Sequence, residues 1–526
     1  MKSTGTVYLV GAGPGDAGLL TLRGAELLGR ADVVIYDRLV NPELLRRVRP
    51  DAERIPRGEF KGPAALNQQE LNALLVTRAR AGQTVVRLKG GDPYVFGRGA
   101  EEAQALAAAG IAFEVVPGIT SVMAALNYAG IPLTHRAHCS SFTVFTGHED
   151  PADEPTALRY EQIARIPGTK VVLMGLKRLG ELAEALVAHG LPATTPVALV
   201  QWGTLGRQQS LDGTLANIAA RAAAKDFSPP TILVLGDVVK LRGQLNWFER
   251  RPLFGQRVVV TRSREQAGEL AQLLAGRGAD VLAVPTIKLA PPTDLAPLKD
   301  ALVSLNAYDW LVFTSTNGVT AFFEYFFKGF EDLRDIGGVR IAAVGPATAK
   351  KLKELHLKVD LMPDDYTAAS IVKAFEGYES IENLKICLFR AEVANPELPQ
   401  ELDAEGAIVD DIPVYRTVPE TEDPDGAGAL LAESGADWVT FTSGSTAENF
   451  QARYDLPALL KQFPQMKVAS IGPETTRVLR ALGMEPTVEA QPHTMEGLVA
   501  ALQQACKAKA PSPKAARKPK SPAPRP

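Results

Sequence analysis

The chain has 526 residues, of which 46% are hydrophobic and 22% charged, with a formal net charge of −3. These values exclude a wholly disordered or strongly basic chain, and a length of roughly 150 residues per domain predicts three or four globular domains. Three cysteines, Cys139, Cys387 and Cys506, are too few and too far apart to indicate a disulfide framework or a zinc cluster. We therefore expect a reduced, cytoplasmic protein without a metal site.

Neither a membrane span nor a secretory leader is indicated. The one long uncharged run, 115–134, is interrupted by Pro117, Gly118, Gly130 and Pro132. Such breaks do not suit a membrane helix. The N-terminus enters a strand pattern almost at once and lacks the layout of a signal peptide.

The first unit along the chain is Val7–Asp37. An apolar run breaks into the turn GAGPGD (11–16), continues with helical periodicity and returns as a second apolar run that ends at Asp37. That order predicts strand, turn, helix and strand. Because glycine has no Cβ, the turn lets a ligand approach the backbone closely.

A dinucleotide site and a purely structural turn are the alternatives for this unit. The spacing G-x-G-x-x-G fails because Asp16 stands where the third glycine would pack the helix on the strand. Pro14 and Gly15 also delay the helix until about Leu19. Both features argue against a nicotinamide or flavin cofactor.

Strands and helices continue to alternate after Asp37. The pattern predicts helices over 70–81 and 101–109 and strands over 84–88 and 113–116, which indicates an α/β fold with a parallel sheet. Ligands of such sheets bind beyond the carboxyl ends of the strands. Three segments fall at those ends, namely 11–16, 88–99 and 116–136.

The three loops in this order, with YDRLV after the second strand, resemble uroporphyrinogen-III C-methyltransferase of the tetrapyrrole methylase family. The similarity runs from about Thr6 to Phe248 and includes KVVLMG, PVALVQWG and SPPTILVLGDVV. It implies two α/β lobes, about 1–135 and 136–248, a homodimer, and S-adenosyl-L-methionine as the methyl donor. The cofactor contacts that it implies are Pro14, Gly90, Gly91, Asp92, Val95, Thr120, Ser121, Met174, Gly203 and, by backbone, Thr231.

Asp37 is the residue that we expect to act in the chemistry. It ends an apolar strand, where burial raises the pKa of a carboxylate and makes it a proton acceptor near neutral pH. The family implies the same role, with a pyrrole carbon attacking the methyl group. A helix cap or an ion pair with Arg38 is the structural alternative. The chain departs from the family where Glu59 replaces the lysine proposed as proton donor, and Lys61 is two positions away, so the donor stays open.

The second half begins after a linker at 249–254 and contains an internal repeat. DWLVFTSTNGVTAFF (309–323) matches DWVTFTSGSTAENF (437–450), while 339–355 and 366–375 match later segments at almost the same offset in numbering. Such a repeat predicts two similar lobes facing each other across a cleft. Each has a strand ending in Thr-Ser before a helix, and these hydroxyls cap that helix whether or not they also bind a ligand.

The motifs VVVTRS, FTSTNGV, AAVGPAT, IPVYRTV and SIGPETT resemble uroporphyrinogen-III synthase over about 255–505. The resemblance implies lobes of 255–290 plus 420–505 and of 291–419, no cofactor, and cyclisation of hydroxymethylbilane with inversion of its last ring. It implies that Tyr415 lies near the leaving hydroxyl and that Ser315, Ser443 and Thr475 contact substrate. For Tyr415 a structural place at the hinge is an equal alternative.

Residues 506–526 hold seven of the 57 basic residues, no acidic ones and no large apolar ones, so we expect a disordered, solvated tail and no nucleic-acid partner. The whole chain is predicted to make precorrin-2, for sirohaem or cobalamin, from hydroxymethylbilane. Two alternatives stay open. In the first, the second half is a ligand-binding or regulatory module without turnover. In the second, the chain is a dinucleotide-dependent oxidoreductase.

Overall fold

The computed structural model describes residues 4–58, 66–147, 160–264, 266–364, 368–423 and 426–507. Within these ranges the strands assemble into four five-stranded sheets covered by helices. The predicted α/β fold class, with two α/β lobes in each half, is confirmed. Nowhere in the same ranges is a helix long and apolar enough to cross a membrane.

Strands and helices alternate through most of the chain. The strands are β1 (Val7–Gly11), β2 (Val33–Tyr36), β3 (Glu53–Pro56), β4 (Val85–Lys89), β5 (Phe113–Val116), β6 (Phe142–Thr146), β7 (Thr169–Leu173), β8 (Pro196–Gln201), β9 (Gln209–Thr214), β10 (Thr231–Leu235), β11 (Arg257–Val260), β12 (Asp280–Ala283), β13 (Ile287–Ala290), β14 (Trp310–Phe313), β15 (Arg340–Ala343), β16 (Lys385–Ala391), β17 (Ile408–Pro419), β18 (Trp438–Phe441), β19 (Lys467–Ser470) and β20 (Val488–Glu489). The helices are α1 (Leu22–Leu28), α2 (Gln68–Arg80), α3 (Gly99–Ala108), α4 (Ser121–Tyr128), α5 (Tyr160–Arg165), α6 (Leu179–Ala188), α7 (Ile218–Ala223), α8 (Arg242–Leu245), α9 (Ala267–Gly276), α10 (Ala296–Val303), α11 (Thr316–Gly329), α12 (Pro346–Glu354), α13 (Ala368–Tyr378), α14 (Glu397–Ala404), α15 (Ala427–Ser434), α16 (Gly444–Tyr454), α17 (Leu456–Gln462), α18 (Pro473–Ala481) and α19 (Met495–Lys507). Short 3₁₀ helices lie at Ala17–Leu19, Pro42–Arg47, Leu176–Arg178, Asp237–Leu241, Leu305–Ala307 and Leu333–Ile336.

The first sheet is wholly parallel and has the order β3-β2-β4-β1-β5. Its central strands β1 and β4 are almost fully buried, as expected for strands covered on both faces. Because all five strands run the same way, the turns after β1, β4 and β5 meet at one edge.

The second sheet is mixed, with the order β6-β7-β10-β8-β9. Strand β10 runs antiparallel to both of its neighbours, β7 and β8. The start of β10 therefore lies beside the ends of β7 and β8. This common edge carries the loops that approach the first lobe.

The third sheet, β12-β11-β18-β19-β20, and the fourth, β13-β17-β16-β14-β15, belong to the second half. The chain crosses from one sheet to the other after β12 and returns after β17. Strand β13 pairs with β17 in the fourth sheet, so the crossover precedes β13. The sequence-based boundary at 290, which put β13 in the other lobe, is therefore wrong by the length of this strand.

The internal repeat is longer than the sequence matches indicate. Strands β11 and β16 pair with β12 and β17 in the same register, since Arg257 lies opposite Asp280 and Lys385 lies opposite Ile408. Strands β14 and β18 begin at Trp310 and Trp438, which have the same offset in numbering as Arg257 and Lys385. Each repeat thus contributes strands to both lobes, and the two lobes are built by exchange between two copies of one unit.

Candidate active sites

The glycine-rich turns of the first lobe pack directly against one another. Gly13 and Gly91 exchange backbone hydrogen bonds, with N···O distances of 2.8 and 3.2 Å. A Cβ on Gly11 would lie 2.4 Å from the Cα of Gly118, and one on Gly118 would lie 2.2 Å from the oxygen of Gly91. No side chain fits at these positions, and Gly91 also has a φ of +68°. The three loops therefore form a single cradle of exposed backbone.

Asp92 joins two of these loops. Its Oδ1 accepts from the amide of Tyr94 at 2.8 Å and its Oδ2 from the amide of Gly118 at 3.0 Å. The carboxylate therefore fixes the loop geometry, and its remaining lone pairs are the ones that a cationic ligand could use. Beside it, Gly90 packs near Leu39.

The predicted contacts of the second lobe converge on this cradle. Thr231 pairs with Gln201 at the end of β8, Gly203 follows two positions later, and Met174 follows β7 at the same edge. A Cβ on Gly203 would lie 2.4 Å from that of Ala125 in α4, so the second lobe touches the first here. Met174 has a φ of +57° and is 53% exposed, which leaves an apolar face open beside the cradle.

The other predicted contacts lie on the same loops. Pro14 follows Gly13, Val95 is partly exposed after Asp92, and the Thr120 hydroxyl accepts from Val122 as the N-cap of α4, which starts at Ser121. The ten positions thus lie on the loops of the first lobe and on the facing edge of the second sheet, and their roles remain predictions.

Asp37 lies beyond the end of β2, with its side chain 25% exposed. It pairs with the guanidinium of Arg87, which is completely buried, and lies 3.7 Å from that of Arg57. Burial by itself raises the pKa of Asp37, but the positive charges of Arg87, Lys89 and Arg57 outweigh burial and lower that pKa below its ordinary value. The expectation of a raised pKa was wrong because these cations come from other segments of the chain, whose approach to Asp37 no local pattern shows.

Asp37 belongs to a buried charged network that sequence reasoning missed. Lys89 Nζ lies 2.8 Å from Glu102 Oε1, and Arg87 Nε lies 3.4 Å from Glu102 Oε2. All three side chains are at most 1% exposed. The signal was present in β4, where Arg87 and Lys89 alternate with apolar residues and so project from one face of the strand. Glu59 and Lys61, the candidates for proton donor, lie outside the described residues.

In the second half, the structure brings Tyr415 and Ser315 together. Their hydroxyl oxygens are 3.3 Å apart, and Ser315 also caps α11 by accepting from the amide of Gly318 at 3.0 Å. Tyr415 is only 9% exposed and packs in the apolar core of its lobe. The pair lies at the carboxyl end of the fourth sheet.

Ser443 and Thr475 occupy the opposite lobe. Ser443 caps α16 by accepting from the amide of Thr446 at 3.3 Å. Thr475 lies in the first turn of α18 and is 3% exposed. Ser443 is partly exposed and its hydroxyl also lies 3.0 Å from that of Ser445, whereas contact between the buried Thr475 and a substrate would require movement around α18.

Family models match both halves of the chain. Tetrapyrrole (Corrin/Porphyrin) Methylases match residues 6–219, and Uroporphyrinogen-III synthase HemD matches residues 268–500. The two matched ranges contain the glycine cradle and the duplicated lobes respectively.

Three curated relatives have names that agree with these matches. Porphyrin biosynthesis protein HemD of Ruminiclostridium josui is 35% identical over 94% of this chain and 97% of that protein. Uroporphyrinogen-III C-methyltransferase of Bacillus subtilis is 39% identical over 74% of this chain and 80% of that protein. The S-adenosyl-L-methionine-dependent uroporphyrinogen III methyltransferase of Methanosarcina barkeri is 51% identical over 45% of this chain and 93% of its own.

A glycine-cradled methylase joined to a duplicated two-lobed synthase defines a bifunctional enzyme of tetrapyrrole biosynthesis. The chain belongs to the family of proteins that fuse a tetrapyrrole methylase to uroporphyrinogen-III synthase. This confirms the resemblance of both halves.

Proposed function

We propose that the chain cyclises hydroxymethylbilane to uroporphyrinogen III and methylates that product twice to precorrin-2, on the route to sirohaem or cobalamin. The observation that carries the proposal is the presence of both families on one chain, in the arrangement that a relative shares over 94% of this sequence. The product of the second half is the substrate of the first. The same tetrapyrrole therefore links the two activities.

S-Adenosyl-L-methionine fits the cradle of the first half. The backbone around Gly90 and Gly91 suits the polar methionine part, while the open face of Met174 suits adenine. When bound, the sulfonium compound supplies a methyl group without its bonding electrons. The chain's residues orient it so that a pyrrole carbon of the substrate reaches that methyl group from the side of Asp37.

Asp37 acts in this reaction as a negative charge and as the acceptor of a proton. A macrocycle that gains a methyl group becomes cationic and then loses a proton from its ring. The carboxylate, kept ionised by Arg87, stabilises that positive charge in a partly buried site. Because its pKa is lowered, electrostatic stabilisation is the larger part of its role and proton acceptance the smaller.

The second half uses hydroxyl groups to orient a linear tetrapyrrole between its lobes. Tyr415, held by Ser315, donates a hydrogen bond to the departing hydroxyl without carrying a charge, and Ser443 contacts the substrate from the other lobe. No cofactor is needed, because loss of that hydroxyl and ring closure leave the oxidation state unchanged. Thr475 completes the contacts in a moved conformation.

The rest of the proposal concerns organisation. The lobes are 1–135 and 136–248, followed by the linker at 249–254 and the duplicated lobes up to 505, with a cytoplasmic homodimer formed through the first half. A non-catalytic second half is not favoured, because the model of uroporphyrinogen-III synthase matches residues 268–500. A nicotinamide enzyme is not favoured, because Asp16 caps the 3₁₀ helix where a dinucleotide fingerprint needs glycine.

Two assays test the proposal. Calorimetry with S-adenosyl-L-methionine and, separately, NADPH should give binding of the first compound alone. Hydroxymethylbilane should give mostly the type III isomer, whereas spontaneous closure gives type I. Binding of NADPH, or formation of type I alone, would contradict the proposal for the corresponding half.

A further inference from the structure

The two copies of the repeated unit differ in the surroundings of one pair of arginines. Arg262 follows Val260 of β11 by two positions, just as Arg390 follows Leu388 of β16, and these strands are equivalent in the repeat. Both arginines therefore stand at the carboxyl end of their sheet. Equivalent positions with different surroundings indicate where the two lobes have acquired different roles.

Arg390 is fully occupied within its own lobe. Its Nε and Nη2 bind the two carboxylate oxygens of Asp411 at 2.6 and 2.5 Å, and its Nη1 donates to the carbonyl of Asn395 at 2.6 Å. The side chain is 8% exposed. This bidentate pair neutralises the arginine and holds it in place.

Arg262 has no such bidentate counter-ion among the residues that the structure describes. The position equivalent to Asp411 in the other copy is Ala283, the last residue of β12. Arg262 instead donates to the sulfur of Met495 and to the amide oxygen of Gln266, both at 3.1 Å. These acceptors are neutral, and burial lowers the pKa of Arg262 despite the opposing charge of Glu269. The guanidinium is thus charged in a half-buried position, where burial disfavours the charged form.

Arg262 is also connected to the opposite lobe. The Gln266 side chain, which accepts from Arg262, donates to the Oδ1 of Asn317. Asn317 belongs to α11, whose cap is Ser315, the residue bonded to Tyr415. A polar chain from Arg262 through Gln266 to Asn317 thus spans the cleft near the proposed reaction site.

We infer that Arg262 binds a side-chain carboxylate of the tetrapyrrole substrate in the cleft. The inference rests on the proposed synthase function. A guanidinium held only by neutral acceptors is suited to bidentate binding of a carboxylate. In the described part of the chain, Arg390 has a bonded carboxylate and Arg262 has none. This difference between the two lobes fixes which way round the substrate binds in the cleft.

Steady-state kinetics of the full chain with hydroxymethylbilane tests this inference. Arg262→Gln should raise KM about tenfold, as expected for loss of a charge-assisted hydrogen bond, with kcat changed by less than about twofold. Ala283→Asp should raise KM similarly, because it recreates the pairing of the other lobe while keeping Arg262. Arg277→Gln, an exposed position on the same half, is the charge-matched control and should leave KM unchanged.

Chemical denaturation of each variant reports on folding of the second half, and methyl transfer by the first half to separately supplied uroporphyrinogen III should be unchanged in all variants. An unchanged KM in either Arg262→Gln or Ala283→Asp, with the protein folded, would overturn the inference. If Arg262→Gln fails to fold, Ala283→Asp decides alone. Failure of the wild-type chain to form the type III isomer would instead contradict the proposed function itself, so the two failures are distinguishable.

Discussion

The two halves of the molecule prepare their sites in different ways. The first half holds a carboxylate at the cradle by means of buried charges, Arg87, Lys89 and Glu102, that come from a strand and a neighbouring helix. The second half places hydroxyls, Ser315 and Ser443, through local helix caps repeated in two lobes. Charge placement thus needs tertiary contacts, whereas hydroxyl placement follows from a short sequence motif.

The largest effect is expected at the carboxylate of the first half. Asp37→Asn should lower methyl transfer by roughly a hundredfold or more, because both the charge and the proton acceptor are lost. Type III formation by the second half should be unchanged. Asp51→Asn, at an exposed side chain of the same lobe, is the control. Methyl transfer by Asp37→Asn within about threefold of wild type would contradict the assigned role.

The buried network should dominate the stability of the first half. Glu102→Gln leaves Lys89 and Arg87 without their shared carboxylate and should destabilise this half by about 3–5 kcal/mol in chemical denaturation. Glu161→Gln, which breaks an exposed pair with Arg165, should cost less than about 1 kcal/mol. Equal losses of unfolding free energy in the two variants would show that burial does not increase the contribution of the Glu102 ion pairs to stability.

The cradle itself provides a steric test. Gly118→Ala places a methyl group against the oxygen of Gly91 and should lower stability by about 1–3 kcal/mol while weakening S-adenosyl-L-methionine binding. Gly243→Ala, which meets no atom within 4 Å, should do neither. The measurement is the calorimetric Kd for S-adenosyl-L-methionine in both variants. Equal values would show that the loop at Gly118 accepts a side chain and that its close packing is not required for binding.

The pH dependence follows from the lowered pKa of Asp37. A depressed carboxylate pKa means that the pair with Arg87 stabilises the fold above the ordinary aspartate value of 3.8 and loses this effect as pH falls through the folded-state pKa. Methyl transfer should therefore show no acid limb from Asp37 between about pH 5 and 7. Arg87→Gln should raise the pKa of Asp37, so that methyl transfer is lost at a higher pH on acidification. An unchanged profile in this variant would show that Arg87 does not control the carboxylate.

The smallest effect is expected in the second half. Ser315→Ala removes the cap of α11 and the bond to Tyr415, which should cost about 1 kcal/mol of stability and lower the ratio of type III to type I by a few fold. Ser443→Ala should cost a similar amount through its own cap. A complete loss of the type III isomer in either variant would mean that these hydroxyls do far more than cap and orient.

The sequence predicted the parts of the fold that depend on local patterns. The predicted strand over 84–88 is found at Val85–Lys89, and the predicted helix over 70–81 is found at Gln68–Arg80. The glycine turns were placed correctly because a close backbone approach admits no other residue.

Long-range contacts explain what the sequence did not predict. The pKa of Asp37 depends on Arg87 and Lys89, which are distant in sequence but adjacent in the sheet. Strand β13 was assigned to the wrong lobe because apolar alternation does not show which partner a strand joins. The bond between Gln266 and Asn317 depends on how two lobes meet, which no local pattern encodes.

The two activities are tested together in a single timed reaction of the whole chain with hydroxymethylbilane and S-adenosyl-L-methionine, analysed by chromatographic separation of the isomers followed by mass spectrometry. Over a reaction time in which the wild-type chain forms the dimethylated tetrapyrrole, we predict that Asp37→Asn leaves most of its uroporphyrinogen III unmethylated. Dimethylated product formed by Asp37→Asn as fast as by the wild-type chain, or only the type I isomer from the wild-type chain, would contradict the proposed function.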